Sequence, residues 1–257
     1  QYRVKFDYLT FDDFGPEDPA YWRGMREDLL PNAGMLDGIA SANNFDPLLA
    51  REYVDLLEAA IEAPKILDAM GVTHVISDRA WPEGKPIHSS VSAGLYRVPG
   101  TPGRAWMVPQ ARSFPSDEVL AAMKAPSFDP TYEVLTEDSV QHVADGADDT
   151  SAGSSLALQD GPNRVTIDAV LEAPGYLVLA DTWYPGWQVT VDDERATLLR
   201  ANHAFRAVQL QRGQHVVEMI YRPSSILLGH WISLACLGTV VLGLLWTFWK
   251  RKSTRET

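Results

Sequence analysis

The side chains most able to do chemistry cluster in the last third of the chain. Trp183-Tyr184-Pro185-Gly186-Trp187 sets three aromatic rings around a Pro-Gly turn. Rings of this kind stack on pyranose faces, so a glycan contact through Trp183, Tyr184 and Trp187 is one reading. The other, and the favoured one, is that Pro185-Gly186 forms a tight turn whose rings fill a core or rest at a membrane surface, since large aromatics dominate cores. Asn202, His203, Phe205 and Arg206 follow as a polar group beside a hairpin, suited to a sugar or a phosphate. Here too the plainer reading, loop hydrogen bonding and a surface arginine, is preferred.

Other chemistries find no support. The six histidines are scattered, with no HxxxH spacing, and the single cysteine, Cys236, lies in an apolar run. That spacing does not make a zinc site. Asp12-Asp13, Asp148-Asp149 and Asp192-Asp193 are loop pairs without the alternation of a calcium loop. The sequence carries no GxSxG, P-loop or GxGxxG motif. No catalytic residue, metal or cofactor is therefore expected. A net charge of −12 argues against nucleic acid and against an anionic lipid surface as partner.

The element that must position these residues lies just beyond them. Residues 226–249 contain no Asp, Glu, Lys or Arg. As a helix they reach roughly 36 Å, enough to cross a hydrocarbon layer of about 30 Å. Trp231 at one end, and Trp246 and Trp249 at the other, suit the two interfacial belts, and Lys250, Arg251 and Lys252 mark a cytoplasmic side. The expected topology is a single pass in a bacterial inner membrane, with the bulk of the chain outside the cytoplasm and the C-terminus within. Residues 1–30 show no signal peptide, so a removed leader or earlier membrane spans would have to deliver that bulk. Ile226, Gly229, Ser233, Cys236, Val240, Gly243 and Thr247 recur in one heptad register, mostly as small residues. Such a seam packs against another membrane helix. The plainer alternative is the ordinary abundance of small residues in membrane helices.

The expected fold class is α+β: a mixed α/β part over residues 1–87, a β-rich, sandwich-like antiparallel domain over 88–223, the transmembrane helix over 224–249 and a basic tail over 250–257. In the first part, residues 2–8 alternate like a strand, and Asp18-Pro19 opens a helix that Pro31 stops. Asp46-Pro47 opens another, with Leu49, Tyr53, Leu56, Leu57 and Ile61 on one face. Residues 64–70 form a short helix closed by Gly71, and residues 72–77 a strand. Residues 88–98 and 104–108 read as strands about a Pro/Gly turn, and Ser116 caps a short helix. Residues 145–155 form an acidic loop. Beyond it, residues 165–171 alternate as a half-buried strand, and residues 176–180 form a continuously apolar central one. Residues 187–191 and 195–200 read as a hairpin about Asp192-Asp193-Glu194, and residues 205–210 and 215–221 as another about residues 211–214.

Trp183-Tyr184-Pro185-Gly186-Trp187, the Val-Asp-Asp turn, Arg200-Ala201-Asn202 with Phe205-Arg206, Gly213-Gln214-His215 through Glu218, and Tyr221-Arg222-Pro223 run into the apolar helix. This series resembles the C-terminal end of the YfhO-type bacterial membrane proteins, which are multi-pass and related to glycosyltransferases using polyprenyl-phosphate sugars. Earlier segments fit as well: Leu30 through Met35, Ser41 through Pro47, Gly71-Val72 and Arg104-Ala105-Trp106. In that family the catalytic acidic residue lies in an early loop between membrane helices, a region with no counterpart in these residues. The resemblance therefore implies a non-catalytic role for this chain, as an accessory or scaffold subunit of a glycan-assembly or energy-converting membrane complex. Its partners would be other transmembrane helices, the bilayer and a glycan. The alternatives are the acceptor-contacting C-terminal portion of such a glycosyltransferase, or a membrane-anchored sugar-binding module.

Overall fold

The structure, a computed structural model, describes residues 38–42, 49–77, 81, 85–89, 93–138, 153–161 and 163–253. The expected first strand at 2–8, the helix after Asp18, the Asp46-Pro47 start and residues 145–152 of the acidic loop lie outside these. So do the side chains of Thr247, Trp249, Lys250, Arg251 and Lys252.

Two helices come first, α1 (Arg51–Glu62) and α2 (Ile66–Ala69), followed by β1 (His74–Ser77), β2 (His88–Ser89) and β3 (Gly94–Arg97). Leu56 is buried and Tyr53 and Leu57 pack beside it, but Ile61 is exposed, so the apolar stripe of α1 is shorter than its spacing implies. Gly71 closes α2 with φ +67, and a Cβ there would sit 2.3 Å from the Gly103 carbonyl oxygen, so only glycine lets the two loops meet. The expected strand over 88–98 breaks into β2 and β3, which pair with each other while β3 also pairs with β1. This small sheet draws on residues from both sides of residue 87.

The rest is a sandwich. β4 (Ala105–Val108), β5 (Gln110–Ser113), α3 (Val119–Lys124) and β6 (Glu133–Thr136) precede eight further strands. The helix α3 begins at Val119 without a side-chain cap; Pro115 to Glu118 forms a turn ahead of it, so Ser116 caps nothing. The long strands β7 (Gly153–Gly161), β8 (Arg164–Leu171) and β14 (Gly213–Tyr221) join β10 (Trp187–Val191) and β11 (Glu194–Ala196) in a five-stranded sheet, ordered β11-β10-β14-β8-β7. The facing six-stranded sheet is ordered β4-β9-β13-β12-β6-β5, with β9 (Gly175–Leu179), β12 (Leu199–Ala201) and β13 (Phe205–Leu210). Only β5 and β6 pair in parallel in these sheets.

Alternation decides the layers. Val165, Ile167, Ala169, Leu171, Val217 and Met219 of one sheet meet Leu177, Leu179, Val208 and Leu210 of the other. The intervening Tyr176, Val178 and Ala207 face a second core with Trp106, Val108 and Leu199. β9 is buried along its whole length, as a continuously apolar strand must be. A third core sets α1, α2 and α3 against Leu135 and Phe205.

Two expected hairpins differ from the structure. The first is tighter: Asp192 and Asp193 both take positive φ, a two-residue turn with Val191 opposite Glu194. The strand expected over 195–200 then divides into β11 and β12, which lie in different sheets. The second, between β13 and β14, crosses from one sheet to the other. A short Gly-containing connection serves either purpose, and only the partners of the flanking strands distinguish them.

Residue Tyr221 ends β14, and α4 (Ser224–Ser253) begins after Arg222-Pro223. It is the one helix among the described residues long and apolar enough to cross a membrane. Leu228, Trp231, Leu237, Leu242 and Trp246 are all exposed along it, and among the described residues a Cβ at Gly229, Gly238 or Gly243 would have open space around it.

Candidate functional site

The end of the sandwich from which α4 departs gathers most of the singled-out residues. Strand register places them there: Trp187 lies opposite Tyr221, Asp160 opposite Val165, Ala105 and Arg206 opposite Leu179. Beyond Leu179 the chain leaves the six-stranded sheet through Ala180, whose N–H donates to the Arg104 carbonyl at 2.8 Å, and then presents Asp181.

Asp181 joins two arginines. Arg104 donates from Nε and Nη2 to its two carboxylate oxygens at 2.8 and 2.9 Å, a bidentate pair. Arg206 donates from Nη2 at 2.9 Å, and its Nε faces the Asp181 carbonyl at 3.4 Å. The remaining Nη1 of Arg104 reaches Asp160 at 2.7 Å. Arg206 is only 1 % exposed. Its guanidinium carbon stands 3.8 Å from the centroid of the Trp187 ring, and that ring rests on Tyr221 at 5.3 Å. Burial pushes the Arg206 guanidinium down to about 10, against the opposing pull of Asp181, so it remains charged at neutral pH. Hydrogen bonding to Asp181 raises Arg104. Burial, and secondarily the Asp181 charge, pushes the Tyr53 phenol up to about 12 while it donates to the Ala42 carbonyl at 2.7 Å.

A second arginine–tryptophan pair lies beside the first. Arg200 stands over Trp183 at 5.3 Å, donates from Nε to the His203 carbonyl at 3.1 Å, and pairs with Glu52 of α1 at 3.0 Å and Glu137 at 3.2 Å. Glu52 is held below the usual carboxylate range by a backbone hydrogen bond and by Arg200, burial opposing. His203 faces Asp55 of α1 at 3.5 Å. The turn that supplies it is strained: Asn202 and His203 have φ of +45 and +70. Asparagine tolerates this backbone region better than most residues. Asn202 is also fully buried and continues β6, its N–H donating to the Leu135 carbonyl at 2.7 Å and its Oδ1 accepting from the Leu135 N–H at 3.0 Å.

Of the residues named for a glycan, Arg206 and Trp187 thus meet inside the sandwich, Asn202 serves the β6 junction, and Trp183 and His203 belong to the Arg200 group, linked by the Trp183 N–H to the Ala204 carbonyl at 2.7 Å. Tyr184 alone among them turns its ring well into solvent, 49 % exposed. Sequence reasoning did not single out Asp181, Asp160, Glu52 or Glu137. Arg104 and Arg200 stood within the quoted motifs without a role. The available signal was a lone acid directly after the fully apolar β9, where a chain leaving a sheet needs a partner for buried cations.

Chemically, this end holds charge in place. Asp181, Asp160, Glu52 and Glu137 are engaged by arginines and Asp55 faces His203, and among the described residues no group of His, Cys, Asp and Glu could hold a metal ion. The arrangement fixes loops against the strand that feeds α4.

Comparison with known families gives a match over residues 149–233 to the family described as bacterial membrane protein YfhO. No curated protein and no solved structure matches. The matched segment runs from ahead of β7 into the third turn of α4, and it includes both arginine–tryptophan pairs and Asp181. Over that segment, the chain is similar to the YfhO type of bacterial membrane protein, and there its β-rich domain leads into an apolar, membrane-suited helix.

Proposed function

We propose that the chain acts as a non-catalytic, membrane-anchored accessory or scaffold module, with its β-rich domain on the extracytoplasmic face of a bacterial inner membrane. The observation that carries this is the joint between sandwich and helix. Tyr221 is still hydrogen-bonded in the sandwich through the Asn163 carbonyl, Arg222 donates to the Gly186 carbonyl at 2.8 Å, and α4 begins at Ser224. There is no linker to let the domain swing. A rigid domain set directly on a helix whose described apolar side chains are exposed suits presentation and docking.

The docking surface is the seam of Ile226, Gly229, Ser233, Cys236, Val240, Gly243 and Thr247, with a helix of a larger membrane complex as partner. Small residues allow the close approach that helix association in lipid requires. Replacing Gly229, Ser233 and Gly243 by leucine should release the protein from co-purifying membrane partners while its β-rich domain stays folded. Unchanged co-purification would refute the seam.

The family match favours a second reading, in which the chain is the acceptor- or glycan-contacting portion of a glycosyltransferase using polyprenyl-phosphate sugars, with Trp183, Tyr184 and His203 nearest the glycan. The coding sequence upstream of Gln1 discriminates. Many membrane spans there support the transferase portion, and a signal peptide supports the separate subunit.

A further inference from the structure

We infer that the loop 182–186 is a second membrane contact, seated in the phospholipid headgroup layer beside α4. The inference rests on the membrane reading of α4. The loop leaves β9 at Asp181 and is closed by the Trp187 N–H donating to the Tyr184 carbonyl at 3.3 Å. Its far end touches the start of the helix: a Cβ on Gly186 would lie 2.8 Å from the Pro223 Cα. Tyr184 is two residues from that contact, a span of at most about 7 Å. The headgroup layer on one side of a bilayer is about 5–8 Å deep. The Tyr184 backbone therefore lies within about one headgroup depth of Gly186, which touches the start of the helix.

Chemistry agrees with position. A tyrosine ring has an apolar body and a polar tip, the pattern that interfacial belts select. Trp231, 68 % exposed, lies about 10 Å along α4 from Ser224 and provides the matching ring on the helix. Arg222 is exposed at the same end, where its charge offsets the repulsion between an acidic chain and lipid phosphates, while the nearby Arg164 is paired with Glu218 at 3.3 Å. The bonds of Asp181 and Gly186 hold the loop from behind, so its exposed face is presented to lipid ready-formed. Two contacts, one helical and one on the loop, would fix the rotation of the sandwich about the helix axis.

The sole cysteine makes the test direct. The full-length protein is placed in vesicles of phosphatidylethanolamine and phosphatidylglycerol and spin-labelled at one site at a time: at native Cys236, at Tyr184→Cys with Cys236→Ser, and at Asp193→Cys with Cys236→Ser. Asp193 sits at the opposite end of β10 and reports bulk water. Collision with oxygen and with a water-soluble nickel complex gives the depth of each label. The inference expects a deep label at 236, an aqueous one at 193, and one at 184 with several-fold less nickel access than at 193 and measurable oxygen access. A label at 184 as open to nickel as that at 193, with 236 deep, overturns the inference and leaves the anchor standing. A label at 184 shielded from both reagents identifies a protein contact and also overturns it. Nickel access at 236 overturns the anchor and the inference together.

Discussion

Asp181 accepts hydrogen bonds from Arg104 on a strand edge and from Arg206 in the sandwich interior, and the second is the demanding one. A buried guanidinium without its counter-charge costs several kcal/mol, whereas an apolar replacement of similar volume is often neutral. Asp181→Asn should therefore lose about 3–5 kcal/mol in denaturant unfolding, while Arg206→Met, which still covers Trp187, should lose less than about 1.5 kcal/mol. Equal losses would mean that the Arg206–Asp181 pair itself stabilises the fold beyond avoiding an unpaired buried charge. Tyr53 gives a pH signature. Its phenol ionises near 10 in the unfolded chain and at about 12 when folded, so protons leave the unfolded state first. Its contribution is complete below pH 10 and is lost as pH rises to 12. Tyr53→Phe should flatten the stability profile across that window, as followed by circular dichroism.

Among the elements, the β9–β10 loop and the β14–α4 joint depend on one residue. Gly186 has φ +112 and stands against Pro223. Alanine there meets both a disfavoured backbone and a collision, and should cost at least about 2 kcal/mol. Gly213 is the control, with φ +136 but its nearest neighbour 3.7 Å away at the flexible His215 ring, so Gly213→Ala carries the backbone cost without a comparable collision. Unequal melting points, with Gly186→Ala the lower, check this. The strands themselves were legible, because alternation in β8 and unbroken apolarity in β9 are direct consequences of one-sided and two-sided burial. The pairing of β10 with β11 was legible from Asp192-Asp193, whose types tolerate positive φ. What the alternation could not express was sheet membership. β11 and β12, like β13 and β14, are joined by short turns yet part into opposite layers. The site was legible only in outline for a related reason. Arg206 occupies an inward position of an alternating strand, and its burial depends on Asp181, Trp187 and Met219, which approach from other strands and loops.

At the scale of the whole molecule, a sandwich stands directly on the apolar helix, held at their joint by Gly186, Pro223 and the Asp181 network. We propose that the β-rich domain faces away from the cytoplasm. Basic residues after the apolar run argue for that direction. Protease accessibility in oriented membranes tests it most directly. Added to right-side-out vesicles, protease should remove the β-rich domain and leave the C-terminal tail protected, detected by an antibody to that tail. Loss of the domain only in inverted vesicles, with the tail cut in right-side-out ones, would contradict the account.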